Sequence, residues 1–147
     1  MSDEIIRPLC RDDHAELLAL WRRAGLDSIR PSGRDSRSAL GRQLDSGVMT
    51  ILGLEVGGCL AGAVIATHDS RKGWINRLAV DPDYRRRGYG LRLVEAAEAV
   101  LREQGMAIIA ILIERGNDAS LALFQKAGYL DAGCDIHYLT KRDSEDV

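Results

Sequence analysis

Cysteine is scarce in this 147-residue sequence, and its three cysteines, Cys10, Cys59 and Cys134, form no CxxC pair. An odd number of widely spaced cysteines argues against a disulfide framework. We expect each thiol to be a small buried hydrophobic group in a protein that works in a reducing compartment.

Long hydrophobic runs are also missing. The most apolar stretches, such as residues 108–113, are far shorter than the roughly 18 residues that a membrane-spanning helix needs. The first four residues, MSDE, are acidic and no hydrophobic region follows them, so the sequence shows no secretory signal. These absences predict a cytoplasmic protein that does not contact a membrane.

Neither sign of charge dominates, since 20 Lys and Arg residues face 22 Asp and Glu residues. A net charge of −2 is atypical of a strongly basic nucleic-acid-binding protein and of an acidic disordered chain. We expect no nucleic-acid partner, although the arginine runs taken alone would favour one. The length and a hydrophobic fraction of 46% predict one folded domain over residues 1–142, followed by an acidic tail over residues 143–147.

The N-terminal half alternates strand and helix signals. Residues 4–10 predict a strand, and residues 13–24 predict an amphipathic helix that begins with a capping box at Asp13 and Glu16. A second helix is expected around residues 36–44. Two β-rich runs then flank Gly57-Gly58, a dipeptide that predicts a tight hairpin between residues 48–56 and 59–67 because primed turns need positive φ.

The C-terminal half continues with a strand over residues 74–80 and a long helix over residues 88–104. The apolar run 108–113 predicts a central strand covered on both faces, and residues 117–127 predict a short helix with an Asn cap. Residues 129–140 are expected to supply a closing strand or hairpin, broken around residues 131–133. This order predicts an α/β (α+β) layer fold, in which a mixed sheet carries helices on both faces.

The segment Arg85-Arg86-Arg87-Gly88-Tyr89-Gly90 lies between the strand 74–80 and the long helix. The first N–H groups of a helix lack partners and carry partial positive charge, and glycines let a ligand approach the backbone. Such a segment suits a pyrophosphate, although a solvated basic turn would have the same composition. A Walker A loop needs Gly-Lys-Ser/Thr, and a dinucleotide fingerprint needs a small residue at Leu93, so neither fits.

In its context this segment resembles the acetyl-CoA-binding motif of the GCN5-related N-acetyltransferase (GNAT) family. Arg85, Gly88 and Gly90 match the family pattern Arg/Gln-x-x-Gly-x-Gly/Ala. A second family motif is matched by Asn117 and Ser120 and then by the run LFQKAGY over residues 123–129. The two motifs have compatible spacing, and the resemblance covers essentially the whole chain.

The resemblance implies an acetyl-CoA-dependent N-acetyltransferase that moves the acetyl group directly to a primary amine in a ternary complex. It implies a central mixed, mostly antiparallel sheet in which the parallel strands 74–80 and 108–113 splay apart to admit the pantetheine arm. One backbone N–H of the first strand would polarise the thioester carbonyl. The coenzyme-binding residues that it implies are Leu78, Ala79, Val80, Arg85, Arg86, Arg87, Gly88, Tyr89, Gly90, Asn117 and Ser120.

The sequence does not identify the catalytic groups. Many members of the family carry a tyrosine acid where this chain has Phe124, and some carry a glutamate base where it has Asn76 or Leu112. Direct transfer needs a neutral amine and benefits from an acid for the leaving thiolate, and none of these three residues can take either role.

Three explanations of this gap remain open. Water could relay the proton to a distant base such as Glu114, or the acid could be relocated to Tyr129, Tyr138 or Cys134. The third explanation is a non-catalytic acyl-CoA-binding sensor or regulatory subunit. Proximity of the two bound substrates supplies several kcal/mol by itself, which favours the enzyme.

Metal chemistry is not expected, since His14, His68 and His137 form no HxxxH or HExxH motif. We expect Trp21 and Trp74 to be core anchors.

We expect the acceptor to be a small-molecule amine or a protein or peptide amine, held in a pocket shaped by residues 25–37 and 131–138. The six arginines between residues 22 and 42 would form either a solvated face or a wall that favours an anionic acceptor. The sequence leaves open whether the protein is a monomer or a homodimer.

Overall fold

A mixed sheet of five strands organises the computed structural model, which describes residues 3–147. Met1 and Ser2, part of the acidic N-terminus considered above, lie outside the described residues. The strands follow one another in spatial order, and three antiparallel pairings precede one parallel pairing of β4 with β5. The strands are β1 (Glu4–Pro8), β2 (Met49–Val56), β3 (Cys59–His68), β4 (Gly73–Val80) and β5 (Ile109–Ala110).

Helices cover both faces of this sheet, as predicted. Helices α1 (His14–Arg23) and α2 (Arg37–Asp45) contribute Leu17, Trp21 and Leu40 to a core cluster on one face. Helices α3 (Tyr89–Glu103) and α4 (Asp118–Lys126) contribute Leu93 and Phe124 to the cluster on the other face. Because successive side chains of a strand point to opposite faces of the sheet, β3 contributes residues to both core clusters. No helix among residues 3–147 has the length and hydropathy to cross a membrane.

The local turn and cap signals of the sequence are confirmed at Gly57-Gly58 and not at Asp13. Gly57 and Gly58 have φ values of 58° and 84°, so the hairpin turn uses the positive φ that only glycine adopts easily. Ser36 caps α2 by accepting a hydrogen bond from the Ala39 amide at 3.2 Å. The capping box predicted at Asp13 is wrong, because the Asp13 carboxylate accepts from the Cys10 amide and pairs with Arg7 instead.

The chain after α3 departs most from the prediction. Strand β5 has two residues, and Ile108 and Leu112 are 57% and 58% exposed, so the expectation of a central strand covered on both faces is wrong. Residues 129–140 form no strand, although an Asx turn of Asp131 with Gly133 provides the predicted break. Because β5 has only two residues, it offers no ladder of hydrogen bonds to which a closing strand could pair. Leu130, in the segment predicted to form that strand, is 92% exposed.

The predicted burial of the cysteines is also wrong, since Cys10, Cys59 and Cys134 are all exposed thiols. Cys59 opens β3 beside the glycine turn, where the sheet faces solvent, and Cys134 lies in the exposed segment after the Asx turn. Residues 143–147 are exposed along their whole length.

Candidate functional site

Strands β4 and β5 are parallel neighbours for only two residue pairs, Gly73 with Ile109 and Trp74 with Ala110. Beyond them the strands separate, so within the described part of the chain residues 75–80 have no ladder partner on the side that faces β5. The predicted splayed pair is therefore present. It leaves a run of backbone donors and acceptors open at the C-terminal end of β4.

A β-bulge bends β4 within this open edge. Ala63 pairs with Ala79, but Ile65 pairs with Asn76, so one residue of β3 opposes both Arg77 and Leu78. Arg77 takes a left-handed backbone conformation with φ of 47°. Bulges of this kind increase local twist and re-aim side chains, and they are common next to functional sites.

Helix α3 begins beside the open edge with its first amides uncapped. Gly88 is its N-cap residue at φ 79°, and no side chain accepts from the first turn. A Cβ atom on Gly88 would meet nothing within 4 Å, whereas a Cβ atom on Gly90 would lie 3.3 Å from Leu123 and 4.0 Å from Leu78. These glycines thus leave an open cradle at a positively polarised helix end, which fits a pyrophosphate group.

Three exposed arginines directly precede this cradle in the chain, and two of them have partners in the protein. Arg85 donates to the Ala24 carbonyl at 3.4 Å. Arg87 donates to the Asp83 carbonyl at 3.5 Å, and its guanidinium lies 5.1 Å from the Tyr84 ring. Arg86 is exposed at φ 65°, and its side chain makes no hydrogen bond to residues 3–147. The cradle is therefore preceded by exposed positive charge.

Asp81 anchors the turn that leads into the arginines, a role that the sequence analysis missed. Its carboxylate is buried and accepts from the Asp83 amide at 2.9 Å and from Arg23 Nε at 2.8 Å. The Asp83 N–H, followed by the Arg23 guanidinium, holds the pKa of Asp81 below its usual range. Asp-Pro is a helix-start signature, so an N-cap at Asp81 was readable from the sequence.

The second motif lies across the cradle. Asn117 caps α4 by accepting from the Ser120 amide at 3.3 Å, as the Asn signal predicted. Because Leu123 of α4 approaches Gly90 of α3, the fold brings the two sequence motifs and β4 to one place. Ser120 is half-buried there, and Asn117 is exposed.

The tyrosines considered as acids, and Phe124 at the usual acid position, are either packed against the core or exposed on the C-terminal segment. Phe124 is 2% exposed, and its ring meets the Tyr129 ring edge-on with centroids 5.2 Å apart. The Tyr129 hydroxyl is buried with no hydrogen-bond partner among residues 3–147. Burial, together with the nearby Glu98 carboxylate, raises the pKa of Tyr129. Tyr138 is 77% exposed on the strandless C-terminal segment and joins neither core cluster.

The strand positions offer no base either. The Asn76 amide donates to the Thr67 hydroxyl at 3.2 Å, and Leu112 and Glu114 are exposed.

Two of the histidines make hydrogen bonds within the protein. His14 donates to the Asp35 carbonyl, and His68 accepts from the Ser70 amide. Among residues 3–147 no three His, Cys, Asp or Glu side chains cluster as a metal site would require.

The loop between α1 and α2 flanks a cavity of about 670 Å³. Its other wall comes from the C-terminal residues Arg142, Glu145 and Asp146. That residues 25–37 and 131–138 shape the acceptor pocket stays a prediction. The arginine-rich loop and the acidic tail thus face each other.

The comparisons with known proteins bear on this geometry. The family model described as "Acetyltransferase (GNAT) family" matches residues 11–129. The chain belongs to the GNAT family of acetyltransferases. A relative from Yersinia pestis (strain Pestoides F), named "Acetyltransferase", is 32% identical over 124 residues, which are 84% of this chain and 86% of that protein.

Solved GNAT structures share the fold. The aminoglycoside acetyltransferase AAC(6')-Iy, in complex with a bisubstrate analogue of coenzyme A, matches with a TM-score of 0.80 at 18% identity, covering 96% of this chain and 100% of that one. The ribosomal-protein-S18-alanine N-acetyltransferase from Escherichia coli matches with a TM-score of 0.75 at 23% identity, covering 88% and 79% of the two chains. This GNAT protein is an N-acetyltransferase, with the mixed sheet that the resemblance implied.

Proposed function

We propose that this GNAT protein transfers an acetyl group from acetyl-CoA directly to a primary amine while both substrates are bound. The observation that supports this best is the open edge of β4 at residues 75–80, which ends beside the uncapped start of α3. One cleft thereby offers backbone partners to an extended amide-containing arm and an anion site at its end.

In this proposal the open backbone of Leu78, Ala79 and Val80 pairs with the pantetheine arm. One N–H of this segment donates to the thioester oxygen, where negative charge develops in the transition state. Such a donor accelerates transfer because it is held by the sheet before the reaction begins.

The pyrophosphate is assigned to the cradle at the start of α3. Tyr89 is buried, so its contribution is the backbone N–H and not the phenol. Asn117 and Ser120 line the opposite side of the coenzyme. The residues assigned to the phosphates are Arg85, Arg86, Arg87, Gly88, Tyr89 and Gly90.

The chemistry assigned to the cleft is nucleophilic acyl transfer. The lone pair of the neutral amine attacks the thioester carbon, the C–S bond breaks, and the thiolate of coenzyme A leaves. With Phe124 and Tyr129 packed in the core, the proton passes from the amine to the thiolate through water, with exposed Glu114 as the candidate distant base. Holding the two reactants together lowers the barrier further.

The acceptor is a small-molecule amine or a protein or peptide amine, and the protein is expected to be cytoplasmic. One structural neighbour is an aminoglycoside N-acetyltransferase, and another acetylates the alanine of a ribosomal protein, so both acceptor classes occur on this fold. Acetyl-CoA is the cosubstrate, no metal takes part in the proposal, and the homodimer remains an alternative to the monomer.

The second candidate is a non-catalytic acyl-CoA-binding sensor or subunit. It is favoured by one observation, the burial of Phe124 where many relatives carry an acid. Both candidate functions require coenzyme binding, and only the enzyme transfers the acetyl group.

The first experiment is thermal unfolding with acetyl-CoA, with coenzyme A and ATP as controls. A ligand at 100 times its Kd stabilises a protein by about 2.7 kcal/mol, which is easily seen as a rise in Tm. We expect a rise with both coenzymes and none with ATP, and no rise with either coenzyme would contradict both candidates. Release of free thiol with spermidine, sisomicin or an alanyl peptide then supports the enzyme over the sensor.

A further inference from the structure

Arg77 makes a buried, bidentate ion pair with Asp35. Its Nη1 lies 2.6 Å from Oδ1 and its Nη2 lies 3.1 Å from Oδ2. The Arg77 and Asp35 side chains are 15% and 7% exposed. The Arg77 guanidinium also lies 4.6 Å from the centre of the Trp21 ring, so it is held from two sides.

Asp35 in turn organises the loop over residues 26–36. Its carboxylate accepts from the Arg30 amide at 2.7 Å, and its own amide donates to the Arg30 carbonyl at 3.0 Å. The Asp35 carbonyl accepts from His14 of α1 at 2.8 Å, and Arg77 reaches the Ser28 carbonyl at 3.3 Å. Since α1 and β4 belong to the core, these contacts fasten the loop to the rigid part of the protein.

The same arginine sits in the bulge within the open edge of β4. Its φ of 47° is unfavourable for a residue with a Cβ atom, and glycine would adopt it with less strain. A residue kept in such a conformation is over-determined by its surroundings, a condition that is concentrated at functional sites. Arg77 therefore joins the loop on one side to the backbone of Leu78 on the other.

We propose that Arg77 is a positioning residue for the acceptor. Its pair with Asp35 holds the loop over residues 26–36 beside the open edge of β4, so that the acceptor amine meets the thioester carbon at reacting distance. This inference rests on the proposed acetyl transfer. It assigns to Arg77 no contact with the reacting atoms.

Four variants separate positioning from mere support of the fold. Arg77→Gly removes the guanidinium but suits the left-handed backbone, so the bulge persists. Arg77→Lys keeps the charge and loses the bidentate geometry, while Asp35→Asn weakens the pair from the loop side. Arg7→Lys is the matched control, because Arg7 forms a comparable pair with Asp13 away from β4.

The first readout is amide hydrogen exchange of residues 26–36, which needs no substrate. We expect about tenfold faster exchange in Arg77→Gly and Asp35→Asn, a smaller rise in Arg77→Lys, and none in Arg7→Lys. Unchanged exchange in Arg77→Gly would overturn the proposal whether or not the wild type binds acetyl-CoA. Failure of the proposed function would show instead as absent acetyl-CoA binding by the wild type.

The second readout is steady-state acetyl transfer with the amine, among spermidine, sisomicin and an alanyl peptide, that the wild type turns over fastest. We expect kcat/KM for the acceptor to fall by about tenfold in Arg77→Gly and Asp35→Asn, with a lowered kcat and with the KM for acetyl-CoA within about twofold of wild type. An unchanged kcat/KM for the acceptor, or a rise of about tenfold in the KM for acetyl-CoA, would overturn the proposal.

Discussion

A Cβ atom on Gly90 would lie 3.3 Å from Cδ2 of Leu123, so the first turn of α3 and the face of α4 meet so closely that even a methyl group would require Leu123 to shift. The two residues lie 33 positions apart in the sequence, one in each of the two motifs. Their contact closes one side of the cradle proposed for the coenzyme phosphates.

This contact predicts the outcome of Gly90→Val. Its side chain would push α4 away from α3, at the cost of about 1–3 kcal/mol typical of overpacking. Acetyl-CoA affinity should fall by at least about tenfold. Calorimetric titration with acetyl-CoA measures this, and Gly90→Ala should show a smaller loss in the same direction. Wild-type affinity in Gly90→Val would place the coenzyme elsewhere.

Gly88 and Gly105 form a matched pair at the two ends of α3. Both have positive φ, and a Cβ atom on either would meet nothing within 4 Å. Alanine should therefore cost each site a similar backbone strain of about 1–2 kcal/mol. Only Gly88→Ala should also weaken acetyl-CoA binding, because only Gly88 lies in the proposed phosphate cradle. Equal acetyl-CoA affinities in the two variants would argue against that assignment.

Phe124→Tyr restores the residue that many relatives carry, yet we expect no gain in activity. Residue 124 is 2% exposed, so a new hydroxyl would be buried without an assured partner at a cost of about 1–3 kcal/mol. Thermal unfolding should show a lower Tm and thiol release an unchanged or lower kcat, with Phe124→Leu as the control for packing. A higher kcat at wild-type stability would show that this ring reaches the cleft.

The Arg7–Asp13 pair predicts how stability depends on pH. Hydrogen bonding to Arg7 lowers the pKa of Asp13 from 3.8 to about 2. A carboxyl with a lowered native pKa stabilises the fold above its unfolded value, and this contribution disappears as the pH falls from 3.8 through about 2.

Because Arg7 is 37% exposed, solvent screening reduces the contribution to about 1 kcal/mol or less. Urea unfolding at a series of pH values measures it. Asp13→Asn should be less stable at neutral pH and should lose less stability on acidification than wild type. Parallel pH profiles for the two proteins would refute this account of the pair.

Local signals in the sequence were sufficient for much of the fold. The Gly57-Gly58 turn, the Ser36 and Asn117 caps and the helical spacing within α3 depend on neighbours a few residues away, so they are readable in one dimension. The two motifs likewise indicate the proposed coenzyme cleft without coordinates. The expectations of a long fifth strand and of buried cysteines are wrong because they depend on which parts of the fold cover those residues. The Asp13 capping box is wrong for a local reason, since Asp13 pairs with Cys10 and Arg7, three and six positions away.

The sequence by itself determined the order of elements from β1 to α4, the family and the candidate phosphate loop, because each depends on contiguous residues. Only the tertiary structure decided which polar groups share a site. The pairing of Arg77 with Asp35 joins positions 42 residues apart, and Asp81 meets Arg23 across 58. These pairs form because a charge that is removed from water needs an oppositely charged partner. The fold alone determines which oppositely charged side chain lies within reach.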